Sequence, residues 1–504
     1  MNFPLKILSS KQIHQADLYT IKNEPIKSID LMERAALKCF EWIKSKFDLS
    51  YSFYIFCGSG NNGGDGLAIA RMLNLSKYKV YCYQVKLGNN FSNDFLANKK
   101  RLEIEVNSIN EIKQFPIIEN NSKGIIIDSI LGSGLNRITS GLLKEIIFKI
   151  NQTELEVVSI DIPSGLFSED NSLNKIEGII KSKYTLCFNS PKLSFVLPEN
   201  HQFVGEFYVL DIGLDIDFIS SLNSKYYYLT KDFLSKRVKS RKKFDHKGSF
   251  GHLLIVSGSK GMMGSTVLTS RAALSSGVGK LSILSPKCGE HILQTTVIEG
   301  ILEQNNGRNY LTDSYNLKYD WIVIGPGIGT NSETKSFLIS LLKKVKTPIV
   351  LDADAINIIS NENKLLSFIP ENSILTPHPK EFERLVGKWK SDINKLSLLK
   401  NFSKKYKIIC VLKGANTSIS FPNGNIYFNS SGNPGMANAG SGDVLTGIIG
   451  SLLAQGYSPE ISSKLGVYVH GLAGDYAKEK FGEISMSSSN IQEFISLAFK
   501  KLSI

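Results

Sequence analysis

Short runs of β-branched and aromatic residues alternate along the chain with longer stretches whose apolar positions recur at helical spacing. In the first half the strand candidates are Ser52–Cys57, Val80–Val85, Gly124–Ile130, Glu156–Ile160, Tyr184–Phe188 and Glu206–Leu210, separated by helical stretches such as Leu67–Leu75 and Leu142–Ile150. The second half restarts the pattern with His252–Val256, Lys280–Leu284, Trp321–Ile324, Ile349–Leu351, Ile374–Thr376 and Ile408–Leu412. A hairpin is expected over Ser418–Phe428, where Asn423-Gly424 is a tight-turn dipeptide, and the chain from Val444 onward reads as helix. Strands alternating with helices are the signature of parallel sheets with crossover helices, so the fold class is α/β.

At 504 residues the chain exceeds what one hydrophobic core serves, and two domains are expected, residues 1–220 and 221–504. The stretch around that boundary is less regular and leads into the basic cluster Lys236–Lys243. No fixed-period repeat is evident, so the halves read as two different α/β domains in series. Hydrophobic content of 42% with 21% charged residues is that of a globular protein.

The net charge of +13 raises the question of nucleic acid, but the lysines and arginines are scattered and nowhere interleave with aromatics as a strand-binding surface would. The charge is read as a compositional bias that modestly favours anionic substrates, with no nucleic-acid partner. Cys39, Cys57, Cys82, Cys187, Cys288 and Cys410 are far apart, most of them in apolar runs, which points to buried free thiols in a reducing compartment. The N-terminus lacks a signal-like apolar stretch and no run of about 18 apolar residues occurs, so a soluble, cytoplasmic protein without a membrane partner is expected.

Candidate chemistry gathers where strands end. In the first domain, Tyr54–Leu73 (YIFCGSGNNGGDGLAIARML) runs strand, glycine-rich turn, helix, although it is neither a P-loop nor a good G-x-G-x-x-G. IIDSILGSGLNR (Ile126–Arg137) and VSIDIPSG (Val158–Gly165) end two further strands. Ligands of open α/β sheets sit at the carboxyl ends of strands, so these loops should converge. Asn62, Asp128 and Ser164 would offer oxygens to a hard cation, and Asp161 a carboxylate able to move a proton. A lone strand-end Asp would more simply cap a helix or turn; three glycine-flanked loops in one topological position reverse that preference.

In the second domain the corresponding stretches are His246–Ser265 (HKGSFGHLLIVSGSKGMMGS), Val323–Thr330 (VIGPGIGT), Val350–Asn357 (VLDADAIN), Ile374–Phe382 (ILTPHPKEF), Val411–Thr417 (VLKGANT) and Asn438–Gly447 (NAGSGDVLTG). The last sets a carboxylate, Asp443, where a helix N-terminus would hold an anion. That pairing suits phosphoryl transfer to an alcohol, with backbone around Gly442 for phosphate and Asp443 for the hydroxyl proton. His378 is as readily structural as a ligand, though Pro377 and Pro379 fix an exposed turn around it, and Lys413 sits where an anion contact is favoured over a solvated lysine. His246 and His252 are read as structural, and Asp352 and Asp354, on alternate strand-end positions, as supporting groups behind the ligand at most.

GSGNNGGDG, DSILGSG and DIPSG, preceded by LMERAA (Leu31–Ala36), resemble the YjeF N-terminal domain, a Rossmann-like epimerase of hydrated NAD(P)H, over about Ser10 to Asp215. The resemblance implies that Asn61, Asn62, Gly63, Gly64 and Asp65, with Gly132, Ser133, Gly134, Leu135, Asn136, Arg137 and Ile138, contact NAD(P)HX, that Asp161 is the acid/base, and that Asn62, Asp128 and Ser164 hold potassium. Gly58-Ser59-Gly60 stands where that family usually has Gly-Pro-Gly, and Ala35-Ala36 where it has Ala-Gly, both small-for-small. AGSGDVLTG resembles the G-[ST]-G-D signature of ribokinase-like kinases, and together with HKGSFG, GPGIG, TPHPKEF and KGANT it is similar to the ADP- or ATP-dependent NAD(P)HX dehydratase, over about Tyr226 to Ile504.

This second resemblance implies that Lys413, Gly414, Ala415, Asn416, Thr417 and Gly442 hold the adenine nucleotide with magnesium, that Gly329, His378 and Asp443 contact S-NAD(P)HX, and that Asp443 is the base. Ser265, where that family often has Ala, is a further substrate contact through its backbone. The two families in this order resemble the bifunctional NAD(P)H-hydrate repair enzymes, which implies R/S epimerisation, ADP-driven dehydration and a homo-oligomer. The alternative is a small-molecule kinase of the hydroxyethylthiazole or pyridoxal type behind a non-catalytic nucleotide-binding module.

Overall fold

A computed structural model describes residues 4–503 except 87, 89, 119–122, 304, 313–318 and 320. The chain divides into two compact units, residues 6–224 with 391–393, and residues 225–390 with 394–504.

The N-terminal unit has seven parallel strands, β1 (Ser52–Cys57), β2 (Lys79–Val85), β3 (Val106–Ile109), β4 (Gly124–Ser129), β5 (Glu156–Ile160), β6 (Tyr184–Phe188) and β7 (Glu206–Leu210), in the order β3-β2-β1-β4-β5-β6-β7. The chain first builds outward from β1 and then returns to continue on its other side. The crevice of such a sheet lies where that direction reverses, beyond the carboxyl ends of β1 and β4. Helices cover both faces. On one, α1 (Ser10–Asn23), α2 (Ser28–Lys46) and α3 (Asn61–Leu75) pack over Ile55, Ile127, Val158 and Leu186; on the other, α4 (Gly141–Asn151) packs over Phe56, Ile126 and Val157. Central strands buried on both faces read as unbroken apolar runs, which is why periodicity located them.

The C-terminal unit has a mixed sheet. Its strands from residue 225 onward are β8 (Tyr226–Tyr228), β9 (His252–Val256), β10 (Lys280–Leu284), β11 (Gly300–Glu303), β12 (Trp321–Ile324), β13 (Val350–Leu351), β14 (Ile374–Leu375), β15 (Ile409–Leu412), β16 (Ser418–Ser420) and β17 (Ile426–Phe428). They lie in the order β8-β17-β16-β15-β14-β13-β12-β9-β10-β11. The β15–β16 and β16–β17 pairs are antiparallel, the expected hairpin; the other pairs are parallel. α6 (Ser441–Ala454) packs against both α5 (Met263–Ser275) and α7 (Pro459–Phe481), and α6 and α7 carry much of the core through Val444, Ile448, Leu452, Leu465 and Val469.

All six cysteines are free, five of them buried. Among the described residues no helix is long and apolar enough to cross a membrane.

Candidate active sites

The turn after β1 is only Gly58–Gly60, and α3 starts at Asn61, six residues before the apolar periodicity begins. Glycine is a poor helix former, so the sequence places NNGGDG in a loop; packing overrides that preference. A Cβ on Gly63 would overlap the Gly58 carbonyl, one on Gly66 the Ser129 hydroxyl, and one on Gly64 would press against Met32. These glycines let the first turns of α3 lie directly on the ends of β1 and β4.

A cavity of about 680 Å³ opens at that point. Its walls include Asn61, Asn62, Asp65, Gly132, Ser133, Gly134, Leu135, Asn136, Arg137 and Asp161, together with His14 and Asp17 of α1, and Asp94. Gly63, Gly64 and Ile138 are not among the residues that line it. The two glycines face protein, and Ile138 lies on the exposed side of its loop at 39% accessibility.

Asp161 follows β5 with φ +64°, a left-handed conformation uncommon outside glycine. That turn directs the carboxylate into the cavity wall, where Oδ2 accepts the Ser133 N–H at 3.0 Å and Oδ1 lies 2.9 Å from Lys192 Nζ. Burial works against the Asp161 charge, but the fully buried Lys192 ammonium and the Ser133 N–H outweigh it and hold the carboxyl below its ordinary range. Its neighbours are perturbed the other way. Burial, then the Asp161 charge, pushes Asp17 up to about 6 and Asp65 well above the usual range. One cavity thus holds an ionised carboxylate beside two whose hold on a proton is raised, Asp65 more strongly than Asp17, the separation of environments that assigns acid and base roles.

Behind Asn62, Asp128 is fully buried and its oxygens accept the Ser164 hydroxyl (2.6 Å), the Ser164 N–H (2.8 Å), the Ser159 hydroxyl (2.7 Å) and the Ile130 N–H (3.3 Å). Burial still holds it above its ordinary value. Asp128 therefore ties the loops after β4 and β5 together, and Asn62 joins them by donating Nδ2–H to the Leu131 carbonyl at 2.8 Å.

In the C-terminal unit, α6 starts at Ser441, so Asp443 stands in its first turn rather than ahead of it. The N-cap is Gly440 at φ +89°, where no side chain caps the helix, so first-turn N–H groups remain open beside the Asp443 carboxylate. Burial first and the Asp352 charge second push Asp443 up to about 6, against the opposing Ser265 hydroxyl and Lys413 ammonium. Ser265 thus reaches the site through its side chain, not only its backbone.

Lys413 follows β15, and its Nζ lies 3.1 Å from where a Gly442 Cβ would be and 2.9 Å from Asp352 Oδ1. The following residues form a tight turn closed by Thr417, whose hydroxyl donates to the Gly414 carbonyl at 2.9 Å, leaving Gly414 and Ala415 exposed. Gly329 donates its N–H to Asp354 Oδ2 at 2.9 Å. His378 caps the helix Pro379–Val386, its Nδ1 accepting the N–H groups of Lys380 (3.1 Å) and Glu381 (3.2 Å), and burial lowers its pKa. Its Nε2 lies 3.5 Å from Glu381 Oε1, so the ring is held on both sides by its own helix start.

Sequence reasoning missed three groups. Lys192 carried a signal, since it follows β6 in the same strand-end position as the other loops. Asp17 and the full part played by Asp352 carried none, because each depends on what the fold places opposite.

Residues 253–497 match the family described as NAD(P)H-hydrate dehydratase, and residues 28–194 the YjeF-related protein N-terminus. A bifunctional NAD(P)H-hydrate repair enzyme from Moorella thermoacetica is 31% identical, over 98% of this chain and 97% of its own. The one from Escherichia coli is 30% identical over 92% and 88%. Among solved structures, a ribokinase-like superfamily protein from Enterococcus faecalis is similar at 24% identity and TM-score 0.49, covering 56% of this chain and 98% of that one. An ADP/ATP-dependent NAD(P)H-hydrate dehydratase from Bacillus subtilis is similar at 24% identity and TM-score 0.47, covering 54% and 97%. The near-complete coverage by full-length relatives, with both family matches in order, decides the assignment: the chain belongs to the bifunctional NAD(P)H-hydrate repair enzyme family.

Proposed function

We propose that the N-terminal unit interconverts R- and S-NAD(P)HX at the cavity beside Asp161, and that the C-terminal unit dehydrates the S epimer with ADP at the mouth of α6. The observation that carries this reading is Asp443, a carboxylate poised near neutrality in the first turn of an uncapped helix, beside Lys413.

In dehydration, Asp443 takes the C6 hydroxyl proton as that oxygen attacks the terminal phosphorus of the nucleotide. The first-turn N–H groups around Gly442 and the Lys413 ammonium hold the phosphoryl oxygens. Phosphate then leaves C6, a proton leaves C5, and the C5–C6 double bond of NAD(P)H is restored, with AMP and phosphate as the other products. The described residues contain no group of three or more His, Cys, Asp or Glu placed to hold a metal. Magnesium would therefore be held through the nucleotide phosphates, as it usually is, and would neutralise their charge.

In epimerisation the departing atom needs a proton, and C6–O cleavage leaves a cationic ring. Asp161, kept ionised by Lys192, faces that cation, while Asp65, joined by Asp17 below about pH 6, carries the proton for the departing oxygen. In this reading Asp161, expected as the acid/base, shares that work with Asp65 and Asp17. Potassium fits Asn62, Asp128 and Ser164: all three offer hard oxygens, and Asn62 Oδ1 is buried without a hydrogen-bond partner. Bound there, it would supply positive charge to loops that otherwise bury Asp128 without a counter-ion.

The test is incubation of the full chain with R/S NADHX and, in turn, ADP and ATP, following absorbance of the reduced nicotinamide. Recovery of the whole mixture is expected. Asp161→Asn should stop recovery once the S epimer is consumed, and Asp443→Asn should stop it altogether. Nucleotide turnover on another alcohol with no recovery of NADH would overturn the reading in favour of a small-molecule kinase.

A further inference from the structure

Asp352 stands where three elements meet. It directly follows β13, is 1% exposed, and both its oxygens are engaged: Oδ1 with Lys413 Nζ at 2.9 Å, Oδ2 with the Thr446 hydroxyl at 2.7 Å. Lys413 follows β15, and Thr446 lies one turn after Asp443 on α6. A single carboxylate therefore links the cation on one strand end to the helix that bears the base.

The backbone supports this placement at a cost. Ala353, next in the chain, has φ +48°, a conformation a non-glycine residue keeps only where its surroundings impose it. A Cβ on Gly325 would overlap the Asp352 carbonyl, so the neighbouring strand end also carries the one residue that lets this turn approach. The result is that Asp352 faces Lys413 while Asp354 faces the Gly329 N–H at 2.9 Å.

We propose that Asp352 is a positioning residue for dehydration: it aims Lys413 at the phosphate site beside Gly442, and through Thr446 and its own charge it sets the placement and basicity of Asp443. This rests on the reading of Asp443 as the proton acceptor. Lys413 is kept charged in spite of burial by Asp352. The groups facing Asp443 are Asp352 and Asp354, which raise its proton affinity, and Lys413 and the Ser265 hydroxyl, which lower it. His470, 3.3 Å from the Ser441 hydroxyl, is held neutral by burial, its pKa down to about 4, and His378 is also held low by burial.

The experiment measures kcat against pH, and KM for ADP and for ATP, in the full chain with S-NADHX, for wild type, Asp443→Asn, Asp352→Asn and Thr446→Val. Asp352→Asn should move the acidic limb of kcat down by about one pH unit, since a like charge next to Asp443 is gone. It should also raise the nucleotide KM about tenfold, because Lys413 loses its anchor. Thr446→Val keeps the charge and the volume, so its limb should stay in place while kcat falls about fivefold from a loosened α6. That second variant keeps the test decisive if Asp352→Asn does not fold.

An Asp352→Asn limb and KM equal to wild type, or a Thr446→Val enzyme with wild-type kcat and KM, overturns the proposal. A wild-type profile without an acidic limb near the expected pH, or an active Asp443→Asn, instead overturns the assignment of the base on which the proposal rests.

Discussion

Asp443→Asn should stabilise the protein at neutral pH while abolishing dehydration. The folded C-terminal unit holds the Asp443 proton up to about pH 6, against an ordinary value of 3.8, mainly because burial and the Asp352 charge disfavour the anion. At about 1.36 kcal/mol per pH unit, ionised Asp443 costs folding about 3 kcal/mol. The folded value is raised, so the cost is absent below the unfolded value, grows between 3.8 and about 6, and is constant above that. Asparagine carries no charge to bury. The variant should therefore melt higher than wild type at about pH 7.5, by at most about 10 °C for a unit of this size, and the gap should shrink towards pH 4. The dehydration rate should fall by a factor of about 10² to 10⁴, the usual worth of a general base. Scanning calorimetry at two pH values, with the NADH recovery assay beside it, reads both. A variant that melts at or below wild type at neutral pH, or a gap that does not close on acidification, would refute the view that Asp443 is a strained, buried base.

Lys192→Met should destabilise the N-terminal unit by about 3–5 kcal/mol in urea denaturation, because it leaves Asp161 buried without its counter-ion. Any epimerase activity that remains should need higher pH than wild type, since Asp161 then ionises later. Asp17→Asn should slow epimerisation and remove the fall in rate expected of wild type as pH rises through about 6, where Asp17 loses its proton; an unchanged pH profile would exclude it as donor. Gly63→Ala should cost about 1–3 kcal/mol by overpacking against the Gly58 carbonyl, whereas Gly60→Ala, with no atom within 4 Å of the added carbon, should lie within about 0.5 kcal/mol of wild type by thermal melting.

The sequence by itself determined the α/β class and the central strands, because a strand buried on both faces must be an unbroken apolar run. β1, β5, β6, β9 and β10 are each bounded by the residues that periodicity picks out. It also placed the polar loops at strand ends, since parallel connections leave them no other position. Among the strands it left out are β3, β8 and β11, which lie towards the outside of their sheets, are only three or four residues long and are only partly buried, so their runs (VNSI, YYY and GILE) are too short to show a period. The early starts of α3 and α6 were hidden for a related reason: local propensity counts glycine against a helix, and only close packing on a neighbouring strand or a ligand-facing cap shows why glycine is there.

Tertiary structure alone decided how the charges are shared. Lys192 meets Asp161 across 31 residues, and Asp352 meets Lys413 across 61 and Thr446 across 94. Nothing local in the chain encodes those meetings. They follow from sheet order, which sets β5 beside β6 in one unit, and in the other lines up β13, β14 and β15 with α6 closing over their ends. Periodicity reports which side of an element is buried. Which carboxylate keeps its proton depends on how deeply the fold buries it and on what charge it sets opposite: burial raises Asp17, Asp65 and Asp443, and only Asp161, with the Lys192 ammonium beside it, is held low.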